Sequence, residues 1–402
     1  MTYPRSILGE HVNFSNGKTS PERDLEGGFP VYGSNGLIGF SDITNSPAHT
    51  SVIGRVGSYC GSIHFSKEPC WVTDNAIKAT AKTENESRFW YYAMSCQDLH
   101  DLRSGSGQPL INQTALKAVE LPVPSPSERL VIASILGALD DKIELNRRMS
   151  ATLEEMARSL YRSWFVDFDP VHAKMEGLQP AFMDEATAAL FPDRFGEDGL
   201  PEGWERGCIG DIAQLNPEKH TKKSHPDAVE YVDLSNTKWG IIETTTQYSW
   251  EEAPSRARML LREQDTIVGT VRPGNGSYSY IGKVGLTGST GFAVLRPTDT
   301  ADVALVYLSA TDTDTIDALA NLADGGAYPA VRPDVVASQP VVLSSHDVRT
   351  AFQELVAPLI GMIEASKAQS QTLAYLRDTL LPKLMSGEIR VGEAREHIEE
   401  VA

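Results

Sequence analysis

The sequence of 402 residues has few of the features by which enzymes and membrane proteins are commonly recognised. Its four cysteines show no CxxC spacing, which argues against a zinc site and against a disulfide framework. It contains no long apolar run, and its start, MTYPRSILGE, lacks the apolar stretch of a signal peptide. We therefore expect a cytoplasmic protein with no membrane segment.

Catalytic motifs are also missing, because GxSxG, a P-loop, HExxH and a dinucleotide fingerprint do not occur. Asp167 and Asp169 form an acidic pair, but they follow a helix end beside a proline, which favours capping or a solvated turn. His220 and His225 lie in a polar loop without cysteine or carboxylate partners at ligand spacing. We predict no catalytic residue, no metal site and no cofactor in this chain.

The formal charge of −18 argues against a protein that binds polyanions over its whole surface. The charge is unevenly distributed, since residues 176–205 carry eight acids against the single base Arg194. Residues 1–127 carry twelve acids against ten bases and are nearly neutral. DNA binding is therefore compatible with the charge, although the charge does not suggest it.

Two segments have the apolar periodicity of long amphipathic helices, Ser127 to Phe165 and Asp347 to Met385. Each would be roughly 57 Å long at 1.5 Å per residue. A shift of 220 residues superimposes their apolar positions, which repeat every seven residues, and this spacing is typical of helix pairing. The predicted pairing positions are Ile132, Leu139, Asn146, Leu153 and Leu160 in the first segment and Phe352, Leu359, Ser366, Leu373 and Leu380 in the second.

Asn146 and Ser366 interrupt this apolar stripe at matching places, where a polar residue can fix the register of a helix pair. The alternative is two unrelated surface helices, each packed on its own domain. Pairing is favoured because the same shift also aligns the residues before the helices. Pro329, Val331 and Val336 fall on Pro109, Ile111 and Leu116.

The chain is thus a tandem duplication, in which a globular unit and a long helix each occur twice. Its length is enough for two or three domains with their own cores. Turn signals, prolines and acidic runs place the boundaries, and a short helix is expected from Asp184 to Leu190 within the linker. The predicted segments are a first domain 1–126, a helix 127–165, an acidic linker 166–203, a second domain 204–346, a helix 347–390 and an acidic tail 391–402.

Several loops carry residue types that bind nucleic acids. Arginine can pair with guanine, asparagine can pair with adenine, and lysine can contact phosphates. Each of these signals is weak alone, since exposed loops commonly hold such residues. The candidate DNA contacts are Lys18, Arg23, Asn35, Arg55, Ser58, Tyr59, Ser106, Gln108, Lys219, Lys222, Lys223, Arg272, Asn275, Tyr278, Tyr280 and Tyr328.

The whole chain resembles the specificity subunit of type I restriction–modification enzymes. The resemblance lies in PVYGSNGLIGFSD, GRVGSYCGSIHF, WVTDNAI, SGSGQPLINQTALKAVELPVPSPSE, LYRSWFVDFDPV and LRDTLLPKLMSGEI, taken in this order with two similar halves. It implies an α+β fold of two tandem α/β target-recognition domains, separated by two long helices that pair as an antiparallel coiled coil with pseudo-two-fold symmetry.

The resemblance also implies a function. Each domain would read one half of a split, asymmetric sequence in double-stranded DNA, and the paired helices would help to fix the gap between the halves. Two methyltransferase subunits would bring S-adenosylmethionine, and restriction subunits would add ATP- and Mg-dependent translocation and cleavage. This chain would itself be non-catalytic.

One segment departs from the resemblance, because the second half has GGAYPAVRP where the first half has SGSGQPLIN. This loop could contact DNA differently or only support the fold. An alternative function is a scaffold, in which the helix pair joins two protein- or ligand-binding domains without sequence-specific DNA binding. A self-sufficient nuclease or methyltransferase is a third possibility, with no motif in its favour.

Overall fold

The computed structural model describes residues 3–104, 110–324, 326 and 328–401, with side chains described as far as residue 396. The chain divides into two compact units. Unit 1 comprises Met1–Asn146 and Ala368–Ala402, and unit 2 comprises Arg147–Lys367. The division runs through both long helices, so each unit contains part of each helix.

In the residues that the structure describes, unit 1 contains nine strands, two short helices, a C-terminal helix and parts of the two long helices. In chain order its elements are β1 (Arg5–Ile7), β2 (Val12–Asn16), β3 (Phe29–Gly33), β4 (Gly36–Ser41), β5 (Thr50–Gly54), β6 (Ile63–Ser66), β7 (Trp71–Val72), β8 (Ala76–Ala81), α1 (Ser87–Ser95), α2 (Gln113–Lys117), β9 (Glu120–Pro122) and the start of α3 (Pro126–Phe165).

Unit 2 follows with a larger set of elements. They are α4 (Asp169–Met175), α5 (Glu185–Ala189), β10 (Glu205–Cys208), α6 (Ile209–Ile212), β11 (Ala213–Leu215), β12 (Ala228–Val232), β13 (Thr237–Lys238), β14 (Ile241–Ile242), β15 (Thr246–Ser249), β16 (Ala257–Leu260), β17 (Thr266–Gly269), β18 (Tyr278–Tyr280), β19 (Leu286–Ser289), β20 (Phe292–Pro297), α7 (Val303–Thr311), α8 (Thr313–Leu322), α9 (Pro333–Ala337), β21 (Pro340–Leu343) and α10 (His346–Ser386). The last helix, α11 (Val391–Val401), belongs to unit 1.

The two units repeat one internal topology. Unit 1 has a four-stranded sheet of order β2-β8-β5-β6, and unit 2 has the same arrangement in β11-β20-β17-β18. In unit 1, β1 pairs antiparallel with β9, and in unit 2, β10 pairs antiparallel with β21. The second sheet differs, because unit 1 has three strands (β4-β3-β7) and unit 2 has four (β15-β12-β19-β16). The duplication inferred from the sequence is therefore visible in the strand order.

Each long helix begins one residue before its predicted start, and each is capped by a serine. The hydroxyl of Ser125 accepts from the N–H of Glu128 at 3.4 Å, while the Glu128 carboxylate accepts from the N–H of Ser125 at 3.2 Å. This is a capping box, with Pro126 at the first helical position. The cap of α3 is thus Ser125. Ser345 caps α10 by accepting from Val348 at 3.3 Å.

Within each unit the two helices pair antiparallel. In unit 1, Arg377 forms an ion pair with Asp140 at 2.8 Å, and Arg390, which follows α10, reaches Glu128 at 3.0 Å. In unit 2, the ring of Phe352 lies 4.9 Å from that of Phe165. The ten predicted pairing positions are all buried or partly buried, from Ile132 and Phe352 at 0% exposure to the half-buried Leu160, Leu359 and Leu373.

The two polar positions in the stripe have different partners. The Asn146 side-chain amide donates to Gln369 Oε1 at 2.9 Å and to Ser370 Oγ at 3.3 Å, so it bonds across the helix pair of unit 1. Ser366 donates to the carbonyl of Met362 on its own helix at 2.7 Å. The cross-helix bonds of Asn146 are the kind that fixes a register.

The acidic segment before unit 2's first strand is more structured than the sequence suggested. It contains α4 as well as the expected short helix, α5. Phe191 is 2% exposed and packs edge-on against Trp164 at 4.8 Å, and Phe165 packs against Trp204. The segment is therefore anchored to the core of unit 2 by its aromatic residues, while its acids face outwards.

Asp141 of α3 links the long helix to the globular part of unit 1. It accepts from both terminal nitrogens of Arg88 at 2.7 and 2.9 Å and from Lys67 at 2.5 Å. The hydrogen bonds from Arg88 lower the pKa of Asp141 to about 2. A lowered pKa means that the carboxylate stabilises the folded state above its unfolded pKa of about 4 and loses this effect as the pH falls through about 2.

We therefore expect Asp141→Asn to lower the free energy of unfolding by about 1 kcal/mol at pH 7, since the half-exposed side chain is screened by solvent. The difference from the unchanged protein should shrink between about pH 4 and pH 2. Urea denaturation across this pH range measures it. A difference that is constant with pH would contradict the assigned ion pair.

Candidate nucleic-acid interface

Three loops of unit 1 meet at the end of its four-stranded sheet. They are the β3–β4 turn, the β5–β6 loop and the β7–β8 loop. The hydroxyl of Ser34 donates to the carbonyl of Asn75, and Ser62 Oγ donates to the carbonyl of Ser34 at 2.6 Å. The N–H of Arg55 donates to the same Asn75 carbonyl at 2.9 Å. These bonds join the three loops into one surface, which we call loop cluster 1.

Gly54 makes this close approach possible. A Cβ atom at Gly54 would lie 2.2 Å from the carbonyl oxygen of Tyr59 and 2.8 Å from that of Ser34. Both distances are below any ordinary contact, and the neighbouring atoms belong to the backbone. Glycine is therefore required for the three loops to meet.

Most of the candidate DNA contacts in unit 1 lie in or beside loop cluster 1. Asn35, Ser58 and Tyr59 are exposed, and Tyr59 keeps half of its surface in solvent. Arg55 is half-buried and donates weakly to the carbonyl of Asp74 at 3.4 Å. Lys18 is exposed beside the β7–β8 loop, since its N–H donates to Val72 at 3.0 Å.

The remaining candidates of unit 1 are placed differently. Arg23 is exposed and donates from Nη1 to the carbonyl of Ile38 at 3.1 Å, so it lies along β4. Ser106 and Gln108 lie outside the described residues. The segment that follows them is joined to the loop cluster, because the N–H of Ile111 donates to the carbonyl of Arg55 at 3.1 Å.

Unit 2 has an equivalent surface, loop cluster 2, formed by the β17–β18 loop together with Tyr328 and Pro329. The N–H of Arg272 donates to the carbonyl of Pro329 at 2.7 Å. The Arg272 guanidinium lies 5.0 Å from the centre of the Tyr328 ring, which is 72% exposed. Asn275 is exposed on the same loop. These three candidates are therefore brought together.

The loops of unit 2 depend on a glycine in the same way. The N–H of Gly269 donates to the carbonyl of Ser277 at 2.7 Å, as that of Gly54 donates to Ser62 at 2.8 Å. A Cβ atom at Gly269 would lie 2.8 Å from the Ser277 Cβ and 2.9 Å from its carbonyl oxygen. The two halves thus share the close approach that supports each loop cluster.

Tyr278 and Tyr280 do not belong to this surface. Tyr278 is 6% exposed, and its hydroxyl accepts from Arg158 of α3 at 3.4 Å. Tyr280 packs edge-on against Tyr307 at 5.6 Å, and burial raises its pKa to about 12. Both side chains lie on one face of β18 because strand positions two apart share a face. They pack on the core of unit 2, which leaves them poorly placed to contact DNA.

The candidate lysines of unit 2 lie on another surface of that unit, which is basic. Lys219, Lys222 and Lys223 are exposed. The backbone of Lys219 forms an isolated antiparallel β-bridge with Met259 of β16. Beside them, the ring of His225 stacks on Trp250 at 4.3 Å, and the Arg258 guanidinium lies 4.3 Å from the same indole. Such a combination of cations and an aromatic ring suits phosphate and sugar contacts.

The sequence did not single out Trp250, Arg258 or Trp239. Trp239 lies at the tip of the β13–β14 hairpin, is 61% exposed and contacts loop cluster 2. The available signal for this turn was Gly240, which stands between the polar segment 235–238 and the apolar pair Ile241 and Ile242.

Within the described ranges, no group of three or more histidine, cysteine, aspartate or glutamate side chains could hold a metal ion. No helix in these ranges is both long and apolar enough to cross a membrane.

Comparisons with known proteins agree with the resemblance. Residues 6–155 match the family described as "Type I restriction modification DNA specificity domain". The HindI specificity subunit of Haemophilus influenzae is 27% identical, over 71% of this chain and 72% of that protein. The MjaIX specificity subunit of Methanocaldococcus jannaschii is 23% identical, over 83% of this chain and 76% of that protein.

A solved structure supports the fold. The type I restriction–modification S subunit from M. genitalium superimposes with a TM-score of 0.59 and 18% identity, over 96% of each chain. The resemblance to type I specificity subunits and the mixed fold with paired long helices are thereby confirmed.

Proposed function

We propose that this chain, which is similar to the specificity subunits of type I restriction enzymes, is the DNA sequence-recognition subunit of such an enzyme. Each unit reads one half of a bipartite, asymmetric site through its own loop cluster. The observation that carries the proposal is the repetition of one internal topology in two units whose loops differ. A repeated frame with different loops suits two readers of different sequences.

The chain's role in this proposal is binding and not chemistry. Two methyltransferase subunits supply S-adenosylmethionine and the methyl transfer, and restriction subunits supply ATP- and Mg-dependent cleavage in the cytoplasm. Exposed arginine, asparagine and tyrosine side chains in the loop clusters contact base edges, and exposed lysines contact phosphates. Partner subunits that close around the DNA offset the acidic charge of this chain.

The test uses the full chain purified with its methyltransferase partner. Footprinting on random-sequence DNA at physiological salt, where non-specific binding is suppressed, should reveal one bipartite sequence. Sequencing of methylated bases in the native genome should give the same sequence. Complexes that assemble but show no sequence preference would overturn the proposal and favour the scaffold.

The long helices offer a separate prediction about the gap between half-sites. One heptad inserted into each helix, after Asn146 in α3 and before Gln369 in α10, adds about 10 Å, which is about three base pairs. We expect the gap to grow by about this amount while the bases read in each half stay the same. The methylated sequence measures it, and an unchanged gap would contradict a spacer role for the helices.

A further inference from the structure

Trp239 has a conformation that its side chain does not favour. It forms the two-residue turn of the β13–β14 hairpin with Gly240, and both residues have positive φ, at 48° and 81°. Turns of this kind favour asparagine followed by glycine. A bulky tryptophan at positive φ is strained, and such strain is concentrated at functional sites. The turn itself therefore does not explain why this residue is a tryptophan.

The indole is exposed but rigidly supported. The N–H of Trp239 donates to the carbonyl of Gly276 at 2.6 Å, and that of Gly240 donates to Tyr278 at 3.0 Å. The ring rests directly on Gly276, where a Cβ atom would lie only 2.5 Å from it. It also meets the ring of Tyr278 edge-on at 6.0 Å. A fixed aromatic ring of which 61% is exposed can bind a partner at little cost in conformational entropy.

The ring lies beside the polar side chains of loop cluster 2. Gly276, on which it rests, follows Arg272 and Asn275 in the β17–β18 loop, and Arg272 also has a positive φ of 48°. Lys238, the residue before Trp239, is exposed. A projecting aromatic ring beside a cation and an amide combines groups that can enter a base step with groups that can bind base edges.

We propose that Trp239 contacts DNA directly, as a wedge that inserts at one base step of the half-site read by unit 2. This inference rests on the proposed function and deepens it. A wedge enters most easily at a flexible pyrimidine–purine step, so Trp239 makes unit 2 select for a deformable step as well as for base edges.

The decisive variant is Trp239→Asn. It removes the ring but creates Asn-Gly, the sequence that this turn favours, so the hairpin should keep its fold and the melting temperature should not fall. Trp239→Phe keeps an aromatic ring. Phe182→Ala is the matched control, because Phe182 is also in unit 2, is 93% exposed and has a positive φ of 60°.

Each variant is purified as a complex with the methyltransferase partner and titrated with a duplex that contains the target sequence. We expect Trp239→Asn to bind this duplex roughly tenfold more weakly, since stacking contributes about that factor per base. Binding to non-specific DNA should be unchanged, Trp239→Phe should retain most of the affinity, and Phe182→Ala should retain all of it.

A scan of abasic positions through the second half-site locates the wedge. At one step the abasic DNA should abolish the difference between Trp239→Asn and the unchanged protein. Equal affinity of the two proteins for the intact target would overturn the proposal, as would a loss of complex assembly, which would make Trp239 a protein contact. If the unchanged protein itself shows no sequence preference, the proposed function fails and not only the role of Trp239.

Discussion

Replacing Glu86 by alanine should destabilise unit 1 by about 3–5 kcal/mol, because it leaves a buried guanidinium without its counter-ion. Glu86 precedes α1, and its carboxylate lies 2.5 Å from Nη1 of Arg129 in the first turns of α3. Both side chains are about nine-tenths buried. The Glu86 carboxylate also accepts from the indole N–H of Trp90 at 3.1 Å, and the Arg129 guanidinium lies over the same indole.

This ion pair connects the globular part of unit 1 to the long helix, so its loss should destabilise both. Hydrogen exchange on the full chain measures the effect where it occurs. We expect protection to fall in α1 and in the first half of α3, while the amides of unit 2 keep theirs. The opening free energy of these amides should fall by nearly as much as the free energy of unfolding of unit 1.

A second substitution distinguishes the charge effect from a simple loss of packing. In Glu86→Ala/Arg129→Met the buried charge is also removed, and much of the lost stability should return, since apolar replacements of buried pairs are often neutral. Glu120→Ala is the control, because its ion pair with Arg5 is more than half exposed and should contribute less than about 1 kcal/mol. If the double variant is no more stable than Glu86→Ala, this explanation is wrong.

The long helices were the most predictable part of the fold. Their apolar periodicity placed them at 127–165 and 347–385, and the structure has them at Pro126–Phe165 and His346–Ser386. Periodicity is informative here because a stripe sustained over several heptads has few alternative explanations. The strand order of the two units was not predictable, since the strands are short and pair with distant partners.

The misplaced tyrosines show why loop composition is a weaker guide than periodicity. Tyr278 and Tyr280 follow a glycine-rich turn, which suggested an exposed loop. Their burial depends on α3 and α7, whose contacts with β18 are not encoded near the tyrosines in sequence. The helix α4 was missed for a related reason, because Pro170 suggested a break although proline is acceptable in the first turn of a helix.

A second large effect is expected when the glycine that supports each loop cluster is replaced by alanine. Gly54→Ala places a methyl group 2.2 Å from the backbone oxygen of Tyr59, and Gly269→Ala places one 2.8 Å from the Cβ of Ser277. In the first case the obstacle is backbone that no side-chain rotation can relieve. Each loop cluster must therefore shift, at a cost of about 1–3 kcal/mol in stability.

The functional consequence should be confined to one half of the DNA site. Displacing a loop cluster removes several base contacts at once, and each mismatched base pair typically costs about 1–3 kcal/mol, so affinity for the full target should fall on the order of a hundredfold. With Gly54→Ala the methylated sites should become degenerate in one half, and with Gly269→Ala in the other half. Methylation sequencing with each variant complex gives both results.

Gly177→Ala is the control for these variants. Gly177 has a positive φ, of 71°, unlike Gly54 and Gly269, but it has open space around its Cβ position and lies in a segment remote in sequence from both loop clusters. The Gly177→Ala variant should be slightly less stable than the unchanged protein, and its complex should methylate the same sequence. If Gly54→Ala and Gly269→Ala degrade the same half of the site, or both halves equally, the assignment of one unit to each half-site is wrong. If the two variants degrade opposite halves of the site, each unit is assigned to its own half-site. The loop clusters are then identified as the parts of the chain that read the sequence.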